Sequence, residues 1–148
     1  MSVEIRLAVE SDVSEILAMI REFAEFERLS QYCEVTEEKL QTALFGSTKV
    51  AEAVMILDGE KPLGYAIFYP NFSSFRGQRG IYLEDIFLKP EAQGKKAGEA
   101  TLRFIAKLAK SRGGERTDFQ VLDWNENAFG FYKKFGAIID ETERHCKF

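Results

Sequence analysis

The chain has little of the residues that commonly carry metal or redox chemistry: two cysteines and one histidine among 148 residues. Cys33 and Cys146 have no metal-ligand spacing and are too few for a disulfide framework, so no metal and a reduced, cytoplasmic setting are expected. His145 stands alone near the terminus, without ligand partners, and reads as a surface histidine. The ~18 to 20 consecutive apolar residues of a membrane span are missing. So is the basic-then-apolar layout of a secretory signal in the opening "MSVEIRLAVESD". Excess positive charge is missing too. Twenty Lys and Arg against 24 Asp and Glu leave a formal charge of -4, which argues against a general nucleic-acid binder and suits cationic partners. With no repeat, low-complexity tract or dividing linker, residues 1–148 are expected to form a single domain.

What is present alternates between strand and helix patterns. "VEIRLA" (3–8) alternates as a strand, and Ser11 or Asp12 can cap the helix that follows. In that helix Ile16, Met19, Ile20, Phe23 and Phe26 recur at helical spacing. Thr36 opens a shorter helix through Leu44. The runs 49–57 and 61–70 flank Asp58-Gly59, a strong hairpin signal, and 80–88 ("GIYLEDIFL") reads as a central strand. A helix to about Arg112, a strand over 116–122, a short helix over 125–135 and one or two strands in 137–148 complete the chain. The expected class is mixed α/β (α+β), a mostly antiparallel central sheet flanked by helices.

Between strand 80–88 and the next helix lies "KPEAQGKKAGEATL". Two familiar phosphate loops do not fit it. A triphosphate P-loop needs Lys and Ser/Thr after its last glycine, whereas Gly98 precedes Glu99 and Ala100. The three-glycine dinucleotide spacing is absent as well. What remains is a set of backbone N–H groups at a helix start, aimed at an anion, or else a plain helix start with solvated lysines.

"YLEDIFLKPEAQGKKAGEATL" resembles the acetyl-CoA-binding core of the GNAT acetyltransferases, and "WNENAFGFYKKFGA" matches their Asn-x-x-Ala-x-x-Phe-Tyr-x-x-x-Gly signature. "YLED", "EFAEFE" and "DWNE…GFYK" are closest to the diamine, polyamine and thialysine-type branch. The resemblance implies a GNAT fold and an enzyme moving an acetyl group from acetyl-CoA to a primary amine of a small cationic substrate by direct transfer. A homodimer is implied too, and neither nucleic acid nor membrane as a partner. A protein N-terminus, a lysine or an antibiotic amine is the alternative acceptor; a catalytically silent acyl-CoA-binding domain is the other alternative.

The same resemblance implies roles residue by residue. Ile86, Phe87 and Leu88 would pair with the pantetheine arm. Gln93, Gly94, Lys95, Lys96, Ala97, Gly98 and Glu99 would surround the pyrophosphate. Lys96 stands where the family has a glycine, and at a helical φ it would supply the same N–H. Asn125 and Ala128 would touch the arm, and Lys134 would reach the adenosine phosphate. Glu84 is the candidate base for an ammonium of pKa ~10.4, with Asp85 as runner-up. Adjacent strand residues point to opposite faces, so the two should not share one role unless a bulge intervenes. An edge carboxylate in an ion pair is the plainer alternative for Glu84. Tyr132 is the candidate donor to the leaving thiolate, a buried structural tyrosine being its alternative. Phe26, Glu27, Glu84, Asp85, Asp118, Phe119 and Gln120 would meet the substrate.

Overall fold

A computed structural model describes residues 3–121 and 125–148. Five strands form one sheet in the order β1-β2-β3-β4-β5: Val3–Leu7, Glu52–Asp58, Lys61–Ser73, Gln78–Leu88 and Thr117–Phe119. The first four are antiparallel and β5 joins β4 in parallel. The mostly antiparallel sheet matches expectation, but β3, not β4, is central. The β2–β3 turn falls where Asp58-Gly59 predicts, with Gly59 at φ +62.

The helices are α1 (Val13–Phe26), α2 (Glu37–Phe45), α3 (Ala97–Ser111) and α4 (Glu126–Phe135). Thr36 caps α2, its hydroxyl accepting the Lys39 N–H at 3.2 Å. Asp12 does not cap α1. It accepts the Val9 N–H and pairs bidentately with Arg6 at 2.7 and 3.0 Å, tying the helix start to β1. Two apolar layers result. On one face Val13, Ile16, Leu17 and Met19 of α1 and Leu40 and Leu44 of α2 cover Ala53, Met55, Tyr65, Ile67 and Phe87. On the other, Leu102, Ile105 and Ala109 of α3 cover Val54, Ala66, Phe68, Ile81 and Leu83. Each fully buried aliphatic side chain contributes about 1.5–3 kcal/mol, so these layers outweigh any surface ion pair.

Residues 137–148 form no strand, contrary to expectation. The tail's apolar residues do not alternate into a buried face: Ile138 and Phe148 are exposed, while the Asp140 carboxylate accepts the Thr142 N–H and closes a local turn instead. The strand expected over 116–122 is pared to three residues, with Gln120 and Val121 outside any ladder and Leu122 outside the described residues.

Candidate active site

The site begins with an irregularity in β4. Its pairing runs Ile67↔Asp85 and then Phe68↔Leu83, so Glu84 is an extra residue opposite no partner. Leu83 and Ile86 both turn to the α3 face. Between them, Glu84 and Asp85 both turn to the α1 face: Asp85 lies opposite inward-facing Ile67, and Glu84 meets the Tyr69 hydroxyl. The bulge therefore puts two adjacent carboxylates on one side of the sheet, where strict alternation would part them.

β5 contacts β4 only over Ile81–Leu83, ending at Leu83↔Phe119. Among the described residues, Ile86–Leu88 are therefore paired on the β3 side alone. This leaves an open edge of backbone groups leading to the loop at 93–96, which suits an extended arm.

Glu27, at the end of α1, links the carboxylates to α4: the Asp85 charge acts on it, and its own charge acts on Tyr132, whose ring packs with the cluster on the α3 side. Asp85 accepts the Tyr65 hydroxyl at 3.0 Å. Burial pushes its carboxyl up to about 6; the hydrogen bond from Tyr65 opposes this and the Glu84 charge adds to it. Glu27 is raised as well, first by burial and then by the Asp85 charge. Burial, followed by the Asp85 charge, drives the Tyr65 hydroxyl far upward, so it stays a neutral donor. Tyr132 is pushed up to about 12 by burial and by Glu27. Its ring lies 4.5 Å from Phe119 and 5.2 Å from Phe131, centroid to centroid. A hydroxyl so placed is a hydrogen-bond donor at neutral pH, not an acid ready to ionise.

Among the substrate candidates, Phe119 faces Tyr132, Asp118 lies on the opposite face beside Asn71 and Arg116, and Gln120 contacts His145 at 3.2 Å. Phe26 is exposed at the helix end. Sequence reasoning missed Tyr65, Tyr69 and Tyr82. Tyr65 was detectable in principle: a tyrosine inside an apolar strand needs a partner for its hydroxyl.

In the loop, Gly94 has φ +80 and Lys96 φ +57, so the lysine is left-handed and not helical as expected. The turn into α3 demands that conformation, which explains the family's glycine. Ala97, Gly98 and Glu99 open the helix, so their amides have no carbonyl one turn earlier and can receive an anion. Lys95 turns toward Asp58 at 3.8 Å, and Glu99 pairs with Arg103 at 2.8 Å. Gly98 owes its small size to packing, since a Cβ there would stand 3.2 Å from the Phe131 ring and 3.4 Å from Leu88. Gln93 and Lys134 are exposed. Asn125 caps α4, accepting the Ala128 N–H at 3.2 Å, while Trp124 lies outside the described residues. Lys96→Gly is expected to stabilise the fold by up to about 1 kcal/mol in thermal unfolding, relief of left-handed strain exceeding the glycine's added unfolded-state entropy.

Among the described residues no helix is long and apolar enough to cross a membrane, and no group of three or more His, Cys, Asp or Glu could hold a metal ion. The profile of the acetyltransferase (GNAT) family matches residues 16–137. The thialysine N-epsilon-acetyltransferase of Bos taurus is 40% identical, aligned over 97% of this chain and 90% of that protein. The L-ornithine N5-acetyltransferase of Arabidopsis thaliana is 30% identical, over 97% and 82%. Among solved structures, an integron cassette protein from V. cholerae has a TM-score of 0.83 at 22% identity, covering 100% of this chain and 93% of its own. An aminoglycoside acetyltransferase from a soil metagenome, solved with sisomicin, gives 0.81 at 17% identity, covering 99% and 95%. These two support the fold alone. With the family profile spanning most of the chain and named acetyltransferases aligning nearly end to end, the chain belongs to the GNAT acetyltransferase family and is an N-acetyltransferase.

Proposed function

We propose that the enzyme transfers an acetyl group from acetyl-CoA directly to a primary amine of a small cationic substrate. The observation that carries this is the β4 bulge, which sets Glu84 and Asp85 side by side on one face, near Glu27 and at the level where β5 leaves β4. The relatives acting on thialysine and ornithine support a small amine as acceptor.

In this proposal Glu84 and Glu27 draw the ammonium in, and Asp85, with its carboxyl near 6, takes a proton from it. The neutral amine nitrogen attacks the thioester carbonyl carbon; a C–N bond forms and the C–S bond breaks. The nitrogen loses a second proton as the leaving sulfur gains one, with the Tyr132 hydroxyl donating a hydrogen bond to the departing thiolate. The net products are the amide, coenzyme A thiol and one proton. A backbone N–H near Ile86 or Phe87 supports the oxyanion. The open edge at Ile86–Leu88 and the amides of Ala97–Glu99 suit the pantetheine arm and the pyrophosphate, with Gln93, Gly94, Lys95, Lys96, Asn125, Ala128 and Lys134 around them. The homodimer and the cytoplasmic setting belong to the same proposal; exposed Ile138 and Phe148 in the tail are consistent with a partner surface.

Thiol release from acetyl-CoA across short diamines, spermidine, lysine analogues, an aminoglycoside and a lysine peptide tests the proposal. Turnover is expected with small amines. Release that never exceeds the amine-free control, with coenzyme A shown to bind, would overturn it in favour of an acyl-CoA-binding role.

A further inference from the structure

Tyr65 stands within β3 with no surface exposed, its ring 6.0 Å from that of Phe87, its register partner on β4. Phe87 in turn packs on Phe23 of α1, with centroids 5.4 Å apart. Packing in this apolar layer does not call for a hydroxyl, since a phenylalanine would fill the same space with no polar atom to satisfy. The register shows where the hydroxyl goes. Ile67 lies opposite Asp85 and Tyr65 opposite Phe87, so Tyr65 and Asp85 are diagonal neighbours on the α1 face. The Tyr65 hydroxyl donates to the Asp85 Oδ2 at 3.0 Å.

The titratable groups that face this pair come from three parts of the chain. Glu84 is next to Asp85 on β4, Glu27 approaches from the end of α1, and Cys33 from the segment between α1 and α2. Burial comes first in raising both members of the pair, and a charge on any of these groups raises one or the other further. The Tyr65 hydrogen bond acts the other way on Asp85, because it favours the ionised carboxylate. A lysine or arginine in its place would act more strongly. It would also return the carboxyl to the ordinary range, where it is a weak base, and would repel a substrate ammonium. Tyr65, driven far above its usual value, stays neutral and keeps its own proton.

Resting on the assignment of Asp85 as the base, we propose that Tyr65 is its positioning residue, the hydroxyl holding Oδ2 so that Oδ1 turns to the substrate ammonium. With no surface exposed, Tyr65 acts through Asp85 and not on the substrate. The same hydrogen bond holds the carboxyl near 6, where it is ionised at neutral pH and still takes a proton. Tyr69 offers an internal comparison. It lies four residues along β3 on the same face, and its hydroxyl meets Glu84 instead.

The test follows kcat/KM from pH 5 to 10 with saturating acetyl-CoA and L-ornithine or putrescine, whichever turns over faster. In Tyr65→Phe the limb that rises through about 6 in the wild type should move up by about 1 to 2 pH units, the worth of a hydrogen bond to a charged group. At pH 6 kcat/KM then falls about 5- to 50-fold, and the deficit narrows by pH 9. A profile lowered throughout, with its limb unmoved, is what lost packing alone would give and overturns the proposal. An equal shift in Tyr69→Phe overturns it too. Thermal unfolding reads the same bond without acetyl transfer. Tyr65→Phe should lose more stability at pH 9, where Asp85 is charged, than at pH 5, and that difference should vanish in an Asp85→Asn background. An equal loss at both pH values overturns the proposal. Full activity in Asp85→Asn would remove the base assignment, and a pH-dependent unfolding loss would then still support the hold of Tyr65 on Asp85.

Discussion

Asp85→Asn is expected to lower kcat by about 10²- to 10⁴-fold, the usual worth of a positioned general base, while making the protein more stable at neutral pH. The two effects share one cause. Burial raises the Asp85 carboxyl from 3.8 to about 6, so between these values the folded state holds a proton that the unfolded state has released. Stability therefore falls as pH rises through that window, and the penalty persists above it. Removing the charge returns about 1 to 3 kcal/mol at pH 7–8. Asparagine keeps an oxygen to accept the Tyr65 hydroxyl, so the hydrogen bond now at 3.0 Å is not forfeited. Thermal unfolding at pH 5 and pH 8 checks this: the stabilisation should be larger at pH 8. The wild-type kcat/KM should also rise with pH through about 6, as Asp85 loses its proton, and that limb should vanish in the variant. Full activity in Asp85→Asn, with a large loss in Glu84→Gln, would move the base to Glu84.

Tyr132→Phe should cut kcat about 10²- to 10³-fold with little change in KM for either substrate. The hydroxyl, pushed up to about 12, stays protonated across the working pH range, so its contribution is a hydrogen bond to charge that develops on sulfur only as the C–S bond breaks. A phenylalanine keeps the contacts with Phe119 and Phe131, so stability should shift by no more than about 1 kcal/mol. An acyl donor with a more acidic thiol needs less help at sulfur, so the penalty should shrink with it. Equal kcat in the two proteins, or a penalty indifferent to the leaving thiol, would return Tyr132 to a packing role.

Much of the architecture follows from local chemistry. The 3.6-residue spacing of Ile16, Met19, Ile20 and Phe23 in α1, Thr36 at the cap of α2 and Asp58-Gly59 in the first hairpin each act within a few residues. The acetyltransferase motifs were legible for the same reason, because a strand, a glycine-bearing loop and a helix must follow one another closely to present backbone amides. The tail misled because its apolar residues look strand-like, whereas a strand forms only when a neighbour supplies the other half of the ladder.

By itself the sequence determined which residue types are available for the chemistry: carboxylates in "YLED", a tyrosine on the last helix, a loop of small and basic residues, and no metal-ligand set. Tertiary structure decided what those residues face. Only the pairing of β4 against β3 shows that Glu84 is an extra residue, which turns it and Asp85 to the same side, and only burial lifts Asp85 toward neutrality. Only the path of the loop puts Lys96 in the left-handed region, and only the β3–β4 register brings the Tyr65 hydroxyl to Asp85. Register, burial and backbone sign depend on partners distant along the chain, and short-range pattern carries no record of them.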